Sequence, residues 1–514
     1  MGEVSMNDYR ESVDRIASDE TWRDEARKLI ADKPPLGNAP MVDRIMGLAP
    51  FRPLVRNMLI KQVASKARKD HYPAPYAMID LWAKHGASSK TGYDAEAESF
   101  GRVMSTDTSR NLIRVFFLQG KLKKQGNKTD KKIENVHVVG AGVMGGDIAA
   151  WCVLRGMDVT LQDREMKFIE PALGRAKKLF KKKLRDRNKA NAAMSRLLPD
   201  VEGHGIGKAD VIIEAVFEDV DVKREIFADA EKRARPDALL ATNTSSIPLE
   251  ELTESLSRPG RLVGLHFFNP VAKMPLVEIV HGSQTADDSL NRASAFTRQI
   301  SRLPLPVTST PGFLVNRILM PYLLEAVELE AEGVDASEID SQALDFGMPM
   351  GPVELADTVG LDICLHVAEI LGQHLDVPVP QRLRDLVLQG RLGRKSGHGF
   401  YRYRKGKPIK PRLPKGYRSD PQVLDRMVLR MLNEAVACLH EEVVQEPDHL
   451  DAGMVFGTGF APFRGGPLRY IETVGADTLL ERLRDLEQRL GPRFKPDAGW
   501  EAVSGFAKQR SGNG

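Results

Sequence analysis

Short apolar runs recur along the middle of the chain, and each one ends at polar or glycine-rich sequence. The runs are Val136–Val139, Val159–Gln162, Asp210–Val216, Ala238–Asn243 and Arg261–Phe268. Longer segments with a helical spacing of apolar residues separate them. The alternation of short buried strands with helices predicts a doubly wound parallel β-sheet that is covered by helices on both faces.

After residue 310 the pattern is mostly helical and contains a repeat. Residues 316–360 and 425–475 each place Glu-Ala-Val within a helical segment, followed by a glycine-rich turn, Gly-Pro and Thr-Val-Gly. The shared order favours duplication of one helical unit over chance similarity. Residues 1–132 also look mainly helical, with proline-bearing interruptions. The expected organisation is an N-terminal helical segment (1–132), a Rossmann-type α/β domain (133–309) and two related all-α domains (310–408 and 420–510).

The composition narrows the class of protein further. The chain has 514 residues, a formal net charge of +4 and 42% hydrophobic residues, which is ordinary for a globular protein and gives no reason to expect nucleic-acid binding. Its three cysteines are widely spaced, so we expect neither a disulfide framework nor a metal site. No apolar run is long enough to span a membrane, and no targeting segment is visible. These features predict a cytoplasmic protein.

Two basic segments need an interpretation. Lys121–Lys132 precedes the first strand and is interpreted as a solvated linker. Arg175–Lys189 is predicted to be a helix with a partial apolar face. It is either a solvated charged helix or a docking surface for a polyphosphate substrate, because fixed ammonium groups attract such anions.

A glycine cluster follows the first predicted strand. Gly140, Gly142 and Gly145 form G-x-G-x-x-G, in which the glycines allow a tight turn, close approach of a pyrophosphate and packing of the next helix. Asp163 ends the second predicted strand, where a carboxylate can bind both ribose hydroxyls and repel a 2′-phosphate. Strand, glycines, helix and acid together predict an NAD site, although the adjacent Arg164 weakens the preference over NADP.

Several polar residues follow the later strands, at the edge of the sheet where ligands bind in such folds. Glu218 and Lys223 follow the third predicted strand, and Asn243–Ser246 follow the fourth. His266, Asn269 and Glu278 come near the fifth. A histidine with a carboxylate partner is a simple general base near neutral pH. Taken alone, His266 between apolar residues would be a core histidine, but an NAD site at the same edge favours catalysis.

Eight ordered motifs together identify a family resemblance. They are GAGVMGG, EAVFEDVDVKREIF, TNTSS, GLHFFNP, LVEIV, TPGFLVNRI, GPVELADTVGLD and GRKSGHGFY. The chain resembles the L-3-hydroxyacyl-CoA dehydrogenases of fatty-acid β-oxidation over residues 133–405. Through the second helical repeat it resembles the multifunctional α-subunits that carry a fused enoyl-CoA hydratase. HYPAPYAMIDLWAKHG also resembles the connecting helix of those larger proteins.

The resemblance implies roles for individual residues and NAD as the cofactor. His266 would be the general base and Glu278 its orienting carboxylate, with Ser245 and Asn316 binding the substrate beside the reacting carbon. The residues implied for NAD binding are Gly140, Gly142, Met144, Gly145, Asp163, Val216, Phe217, Glu218, Lys223 and Asn269. Two of these interpretations have alternatives, because Ser245 could cap the following helix and Asn316 could make a helix-start hydrogen bond.

The implied reaction is NAD-dependent oxidation of (S)-3-hydroxyacyl-CoA to 3-ketoacyl-CoA. One alternative is a 3-hydroxybutyryl-CoA dehydrogenase of short-chain metabolism. Another is a non-catalytic subunit that scaffolds a β-oxidation complex, docking a thiolase through residues 1–132 and the second repeat. An intact set of Ser245, His266, Glu278 and Asn316 argues against lost catalysis. The partners we expect are an acyl-CoA substrate and a thiolase subunit, within a homodimer or hetero-oligomer.

The first 132 residues resemble the end of a hydratase domain without its core. They contain no adjacent glycine pair that could shape an oxyanion hole, and no credible pair of catalytic glutamates. Hydratase activity is therefore not expected from this chain alone.

Overall fold

The structure is a computed structural model that describes residues 41–86, 90–126, 132–375, 378–413 and 420–504, with a few positions between 24 and 31. The chain divides into two compact units, one ending at Met104 and one beginning at Ser105. All candidate site residues named above lie in the second unit.

The described part of the first unit is helical, as the sequence predicts. Its helices are α1 (Met41–Met46), α2 (Arg52–Ala64), α3 (Pro73–His85) and α4 (Lys90–Met104). Helix α3 begins at a proline, whose fixed φ suits the first helical position. Its buried Tyr76 donates a hydrogen bond to the carbonyl of Ala67 at 2.7 Å, and Asp80 pairs with Arg56 of α2 at 2.7 Å. These contacts hold α2 and α3 together.

The second unit begins with helix α5 (Asp107–Leu122), which occupies the start of the predicted linker. Lys121 pairs with Asp448 at 3.0 Å, and Leu122 is fully buried. The solvated-linker prediction is therefore wrong for the beginning of Lys121–Lys132, because a buried leucine and an ion pair fix it. Residues 127–131 of that segment lie outside the described residues.

An eight-stranded sheet forms the centre of the second unit. Its strands are β1 (Asn135–Val139), β2 (Asp158–Gln162), β3 (Leu197–Pro199), β4 (Val211–Glu214), β5 (Leu239–Thr242), β6 (Leu262–Phe267), β7 (Leu276–His281) and β8 (Leu303–Thr308). The spatial order is β3-β2-β1-β4-β5-β6-β7-β8. All neighbouring pairs are parallel except β6 and β7, which are antiparallel. The Rossmann-type fold class is confirmed, but the sheet is not wholly parallel.

The five predicted strands are present and three further strands were not predicted. Val136 and Val138 show why β1 was recognisable, since both are buried in the continuous apolar run typical of a strand covered on both faces. The missed β3 is only three residues long. The missed β8 contains two prolines and lies at a sheet edge, where proline is tolerated.

Helices cover both faces of the sheet. They are α6 (Val143–Leu154), α7 (Met166–Leu184), α8 (Arg187–Met194), α9 (Val220–Arg233), α10 (Leu249–Thr253) and α11 (Asp287–Gln299). Arg175–Lys189 is helical as predicted except at Arg185 and Asp186, where α7 ends and Arg185 takes a left-handed conformation with φ 52°. Asp186 then caps α8 by accepting a hydrogen bond from the N–H of Lys189 at 2.8 Å.

The remainder of the chain forms two consecutive helical groups. The first copy contains α12 (Val315–Ala331), α13 (Ala336–Phe346), α14 (Pro352–Val359), α15 (Leu361–Leu375) and α16 (Gln381–Leu388), with a hairpin of β9 (Arg402–Arg404) and β10 (Lys407–Ile409). The second copy contains α17 (Pro421–His440), α18 (Pro447–Thr458), α19 (Pro467–Val474) and α20 (Ala476–Leu490).

Ion pairs relate the two copies reciprocally. Aligning the two Glu-Ala-Val sequences matches Glu325 with Glu434 and Arg317 with Arg426. Arg317 of the first copy pairs with Glu434 of the second at 2.6 Å. Arg426 of the second copy pairs with Glu325 of the first at 2.6 Å. The arginine of each copy therefore pairs with the glutamate of the other copy, so the two pairs are equivalent.

A buried aspartate holds the turn in each copy. Asp340 accepts a hydrogen bond from the N–H of Val353 at 2.9 Å, and Asp451 accepts one from the N–H of Leu468 at 2.8 Å. Both amides belong to the first turn of a helix that follows Gly-Pro, α14 in one copy and α19 in the other. The two copies share this local architecture as well as their order of elements.

Candidate active site

A deep cleft lies between the carboxyl edge of the sheet and the first helical copy. Its volume is about 1620 Å³. This exceeds the roughly 300–1,000 Å³ of a typical single-ligand site, so the cleft has room for two molecules side by side. The predicted site residues that line it are Gly140, Gly142, Met144, Asp163, Val216, Phe217, Glu218, Ser245, His266, Asn269 and Asn316.

The glycine turn has the geometry that a bound dinucleotide needs. Gly140 has φ 101°, and a Cβ there would lie 2.6 Å from the carbonyl oxygen of Ala215. A Cβ on Gly145 would lie 1.9 Å from the carbonyl oxygen of Gly140, so only glycine lets α6 approach β1. A Cβ on Gly142 would meet nothing within 4 Å, which leaves its backbone open towards the cleft. The residues present therefore fit the pyrophosphate of a dinucleotide at the N-terminus of α6.

Asp163 links the end of β2 to this turn. Its carboxylate accepts hydrogen bonds from the N–H of Ala141 and the N–H of Arg164, both at 2.8 Å. The guanidinium of Arg164 lies 5.4 Å from the ring centre of Phe168, which also lines the cleft. The carboxylate is therefore fixed beside the glycine turn, with an arginine next to it.

Glu218 organises the loop that carries Ser245. One carboxylate oxygen accepts from the hydroxyl of Thr244 at 2.6 Å and from the N–H of Ser245 at 2.8 Å, and the hydroxyl of Ser245 lies at 3.3 Å. The other oxygen is 3.2 Å from the ammonium of Lys223. Burial disfavours the ionised form, but Lys223 and these donors outweigh it, so the pKa of Glu218 lies below its ordinary value. Glu218 is thus held as an anion against the cleft.

The positions of Lys223 and Ser245 differ from two interpretations of the sequence, Lys223 as a residue at the NAD site and Ser245 as a helix cap. Lys223 does not line the cleft. It is 1% exposed and pairs with Glu214 at 2.7 Å beneath the cleft floor. Ser245 does not cap α10, whose N-cap position is Pro248 without a side-chain cap. Its hydroxyl instead remains beside Glu218.

His266 and Glu278 form a buried pair across two antiparallel strands. The register of β6 and β7 places them directly opposite each other, and Nδ1 of His266 is 2.6 Å from a carboxylate oxygen of Glu278. Glu278 lies in the middle of β7, and it is not at the sheet edge where the sequence placed it. Its other oxygen accepts from the N–H groups of Leu314 and Val315 at 3.1 and 2.9 Å. These amides belong to the start of α12, whose positive end favours the carboxylate.

The pair fixes how the imidazole can act. Because Nδ1 is bonded to Glu278, Nε2 is the ring nitrogen available to the cleft that His266 lines. The rings of Phe268 and Phe313 lie 4.7 and 5.6 Å from the imidazole, centre to centre, and exclude water from it. His266 itself is 6% exposed. A buried imidazole with one fixed and one accessible nitrogen is suited to proton transfer.

Asn316 and Asn269 complete the cleft around His266. Asn316 is in the first turn of α12 and lines the cleft. Asn269 follows β6 and also lines it. Asn243 lines the cleft too, and its side-chain oxygen accepts from the N–H of Phe267 at 3.0 Å. From the sequence we predicted only that Asn243 and Thr244 follow a strand. Their contacts could not be predicted because they depend on which strands are neighbours in the sheet.

A glycine turn at the edge of a Rossmann-type sheet and a histidine–carboxylate pair in the same cleft define the class: a dehydrogenase that uses a nicotinamide dinucleotide. Residues 135–310 match the family described as 3-hydroxyacyl-CoA dehydrogenase, NAD binding domain. Residues 312–403 and 423–508 match the C-terminal domain of the same family. The chain belongs to the 3-hydroxyacyl-CoA dehydrogenase family, and NAD is its cofactor.

Similar proteins include α-subunits of fatty acid oxidation complexes. The subunit from Shewanella amazonensis is 34% identical over 492 residues, which cover 91% of this chain and 70% of the relative. The one from Vibrio vulnificus is 35% identical, covering 87% of this chain and 66% of the relative. The crystal structure of 3-hydroxybutyryl-CoA dehydrogenase from Escherichia coli is 25% identical, with a TM-score of 0.66, covering 74% of this chain and all of that one. In the described part of this chain, we find no helix with the length and apolarity needed to cross a membrane.

Proposed function

We propose that the chain oxidises (S)-3-hydroxyacyl-CoA to 3-ketoacyl-CoA in fatty-acid β-oxidation, with His266 as the general base. The observation that supports this role is the pair itself, 2.6 Å between Nδ1 of His266 and Glu278, in a cleft that also contains the glycine turn. Bound NAD supplies the hydride acceptor for C3 of the substrate. Nε2 of His266 takes the proton of the 3-hydroxyl group as the C3–O bond becomes a carbonyl.

Glu278 acts through His266. It holds the imidazole in one orientation and stabilises the imidazolium that forms when the proton is taken. In the reverse direction the imidazolium returns its proton to the 3-oxygen. The helix-start amides of Leu314 and Val315 keep the carboxylate in place.

Ser245 and Asn316 line the cleft from different elements, the loop after β5 and helix α12. Ser245 lies on the loop after β5, where its hydroxyl donates to Glu218 at 3.3 Å. We assign to this hydroxyl a hydrogen bond with the 3-oxygen of the bound substrate. Asn316 lies on the first copy, and its amide holds the substrate near C3. The alternative role for Asn316, a helix-start hydrogen bond, predicts no kinetic effect of replacing it.

NAD binding is assigned to both halves of the sheet edge. Gly140, Gly142, Gly145, Met144 and Asp163 bind the adenosine and pyrophosphate, and Val216, Phe217, Glu218 and Asn269 surround the nicotinamide half. Lys223 contributes from beneath the cleft by neutralising Glu214 and Glu218. The Asp163 carboxylate, which lines the cleft, favours free ribose hydroxyls over a 2′-phosphate.

A short-chain 3-hydroxybutyryl-CoA dehydrogenase is the second candidate, favoured by the likeness to the Escherichia coli structure. Membership of a fatty-acid oxidation complex, with a thiolase subunit as partner in the cytoplasm, is the wider proposal suggested by the names of the α-subunit relatives. Co-purification with a thiolase tests that association. The size of the purified assembly shows whether the chain is a homodimer or part of a hetero-oligomer. Retention of all four candidate catalytic residues argues against a purely scaffolding role.

The direct test is NADH oxidation by the purified chain with acetoacetyl-CoA and with longer 3-ketoacyl-CoA substrates. Loss of NADH absorbance that requires both substrate and protein supports the proposal. Thiolase binding without any NADH oxidation would instead indicate a scaffolding subunit. Crotonyl-CoA incubated without NAD reports hydratase activity separately, and we predict none from this chain.

A further inference from the structure

A histidine lies fully buried in β1, away from the catalytic pair. His137 is 0% exposed, and the register of β1 and β2 places it directly opposite Thr160. Nδ1 of its imidazole is 2.7 Å from the hydroxyl oxygen of Thr160. Nε2 is 2.9 Å from the side-chain oxygen of Gln162, two residues further along β2. Both ring nitrogens are therefore hydrogen-bonded, and none of the roles assigned above uses this histidine.

The hydrogen bonds of Gln162 fix the tautomer of His137. The amide nitrogen of Gln162 donates to the carbonyl of Val201 at 3.4 Å, so its oxygen faces the imidazole as an acceptor. Nε2 of His137 must then carry the proton, and Nδ1 accepts from the hydroxyl of Thr160. The neutral imidazole therefore satisfies each of these polar groups.

The surroundings of His137 keep the imidazole neutral. Burial lowers its pKa, and the cation of Arg233 in α9 lowers it further. The hydrogen bond with Gln162 and the attraction of Asp200 oppose this shift without reversing it. A carboxylate oxygen of Asp200 is 3.8 Å from Nδ1, but this carboxylate already accepts from two backbone N–H groups of its own loop at 2.9 and 2.7 Å. Near neutral pH, Nε2 of His137 is therefore a fixed donor to Gln162.

Gln162 connects His137 to the cleft. Gln162 and Val201 both line the cleft. The backbone carbonyl of Gln162 accepts from the N–H of Gly140, the first glycine of the turn, at 2.8 Å. A Cβ on Gly203 would lie 2.8 Å from the side-chain nitrogen of Gln162, so the loop after β3 packs directly on this side chain. Gln162 therefore contacts the glycine turn on one side and the loop of Val201 on the other.

We propose that His137 is a positioning residue for NAD, because its neutral imidazole holds Gln162, and through it the loop of Val201, in the arrangement that binds the adenosine half. This inference rests on the proposed function, which assigns that half to the glycine turn and Asp163. His137 does not line the cleft and touches no cofactor itself. Without the Nε2 donor, the side-chain oxygen of Gln162 would be unpaired in the interior, and the side chain would turn towards the cleft that the dinucleotide occupies.

Glutamine and asparagine in place of His137 separate the contributions of its two ring nitrogens. The amide nitrogen of glutamine reaches about as far along the side chain as Nε2, whereas that of asparagine reaches only as far as Nδ1. His137→Asn should therefore raise the Kd for NADH about tenfold, the effect of one buried hydrogen bond, and His137→Gln should stay within about twofold of the wild type. At saturating NADH, kcat and the KM for acetoacetyl-CoA should be unchanged in both. Fluorescence titration of NADH and steady-state kinetics of the full chain measure these values.

Two further variants control for a general loss of packing. Val136→Ala removes core volume from the same strand, but Val136, which is 2% exposed, belongs to the opposite face of the sheet. Its Kd for NADH should equal that of the wild type. Gln162→Met breaks the hydrogen bond with His137 from the cleft side and should raise the Kd, so it tests the link even where His137→Asn fails to fold.

The outcomes separate this inference from the proposed function. Equal Kd values for NADH in His137→Asn and His137→Gln would overturn the positioning role, as would an unchanged Kd in Gln162→Met. A Kd raised as much in Val136→Ala as in His137→Asn would overturn it too, because the loss would then come from packing alone. The expected pattern of Kd values, without NADH oxidation on any 3-ketoacyl-CoA, would refute the proposed function and leave the positioning role standing.

Discussion

The two helical copies share their architecture but differ at the residue that lines the cleft in the first copy. In both copies a buried aspartate accepts a hydrogen bond from the first turn of the helix that begins at Gly-Pro. In both copies an arginine pairs with a glutamate of the other copy. Where the first copy has Asn316 in the cleft, the motif alignment gives Asp425 in the second, 3.6 Å from Arg482. We therefore propose that only the first of the two copies contributes a side chain, Asn316, to the active site.

The second copy still reaches the cleft at one point. Gly457 and Thr458, at the end of α18, line it. A Cβ on Gly457 would lie 2.9 Å from a methyl group of Val315, whose N–H donates to Glu278. The second copy thus packs against a residue that holds the His266–Glu278 pair in place.

The largest expected effect comes from His266→Gln, which should lower kcat by about 10²–10⁴-fold, the usual contribution of a general acid–base group. NAD binding should be nearly unchanged. His440→Gln is the matched control, because His440 pairs with Asp497 at 3.0 Å in the second half of the helical region and does not line the cleft. Steady-state kinetics check both. More than a tenth of the wild-type rate in His266→Gln would contradict the assignment.

The reciprocal ion pairs are expected to differ in their importance for stability. Arg317→Ala leaves the largely buried carboxylate of Glu434 unpaired and should reduce the free energy of unfolding by about 3 kcal/mol. Arg426→Ala should cost less, because Glu325 keeps Arg430 and Arg493, each at 3.1 Å. Denaturant unfolding of the two variants measures the difference. A greater loss in Arg426→Ala would show that the additional arginines do not compensate.

Asp163→Ser tests the part of the cleft that we assign to NAD, which lies on the Rossmann-type domain and not on either helical copy. The variant loses a carboxylate that binds ribose hydroxyls and repels a phosphate, so its preference for NAD over NADP should narrow by about tenfold, the value of roughly 1.4 kcal/mol of interaction. Initial rates with each cofactor measure this. Equal use of both cofactors by the wild type would instead assign the dominant influence to Arg164.

The buried Asp451 of the second copy should make the free energy of unfolding depend on pH. Complete burial raises the pKa of Asp451 from 3.8 to about 7, against the attraction of Arg114 at 3.0 Å. A raised carboxyl pKa means that the folded state binds the extra proton, so this contribution to stability falls as pH rises from 3.8 to about 7. The expected slope is at most about 1.4 kcal/mol per pH unit.

Asp451→Asn retains a side-chain oxygen for the N–H of Leu468 and removes the titration. The difference in unfolding free energy, wild type minus variant, should therefore decrease across that pH window. A difference that increases with pH would show that the pair with Arg114 dominates and that Asp451 is ionised throughout.

Features of the molecule that depend on local sequence could be predicted. The glycine turn and Asp163 lie within one βαβ unit, so their spacing alone indicated a dinucleotide. The roles given to His266 and Glu278 came from the family resemblance, because the antiparallel register that places them opposite each other is a tertiary feature. The internal helical repeat was visible as repeated motifs.

Other contacts could not be read from the chain. Lys223 stands among polar residues in DVKREIF, and only the fold shows that it is buried against Glu214 and Glu218. The reciprocal pairing of Arg317 with Glu434 requires the packing of α12 on α17. In both cases the partner lies on a different element, and charge patterns along one helix do not reveal it.

The claim that only the first copy contributes to the active site is tested most directly by exchanging the aligned residues Asn316 and Asp425. The quantity measured is kcat/KM for a 3-ketoacyl-CoA substrate. Asn316→Asp should lower it about 10- to 100-fold, because losing an amide donor beside the substrate costs roughly 1–3 kcal/mol. Asp425→Asn should leave it unchanged, since Asp425 does not line the cleft. Equal losses in both variants, or full activity in Asn316→Asp, would contradict the claim that only the first of the two helical copies contributes a residue to catalysis.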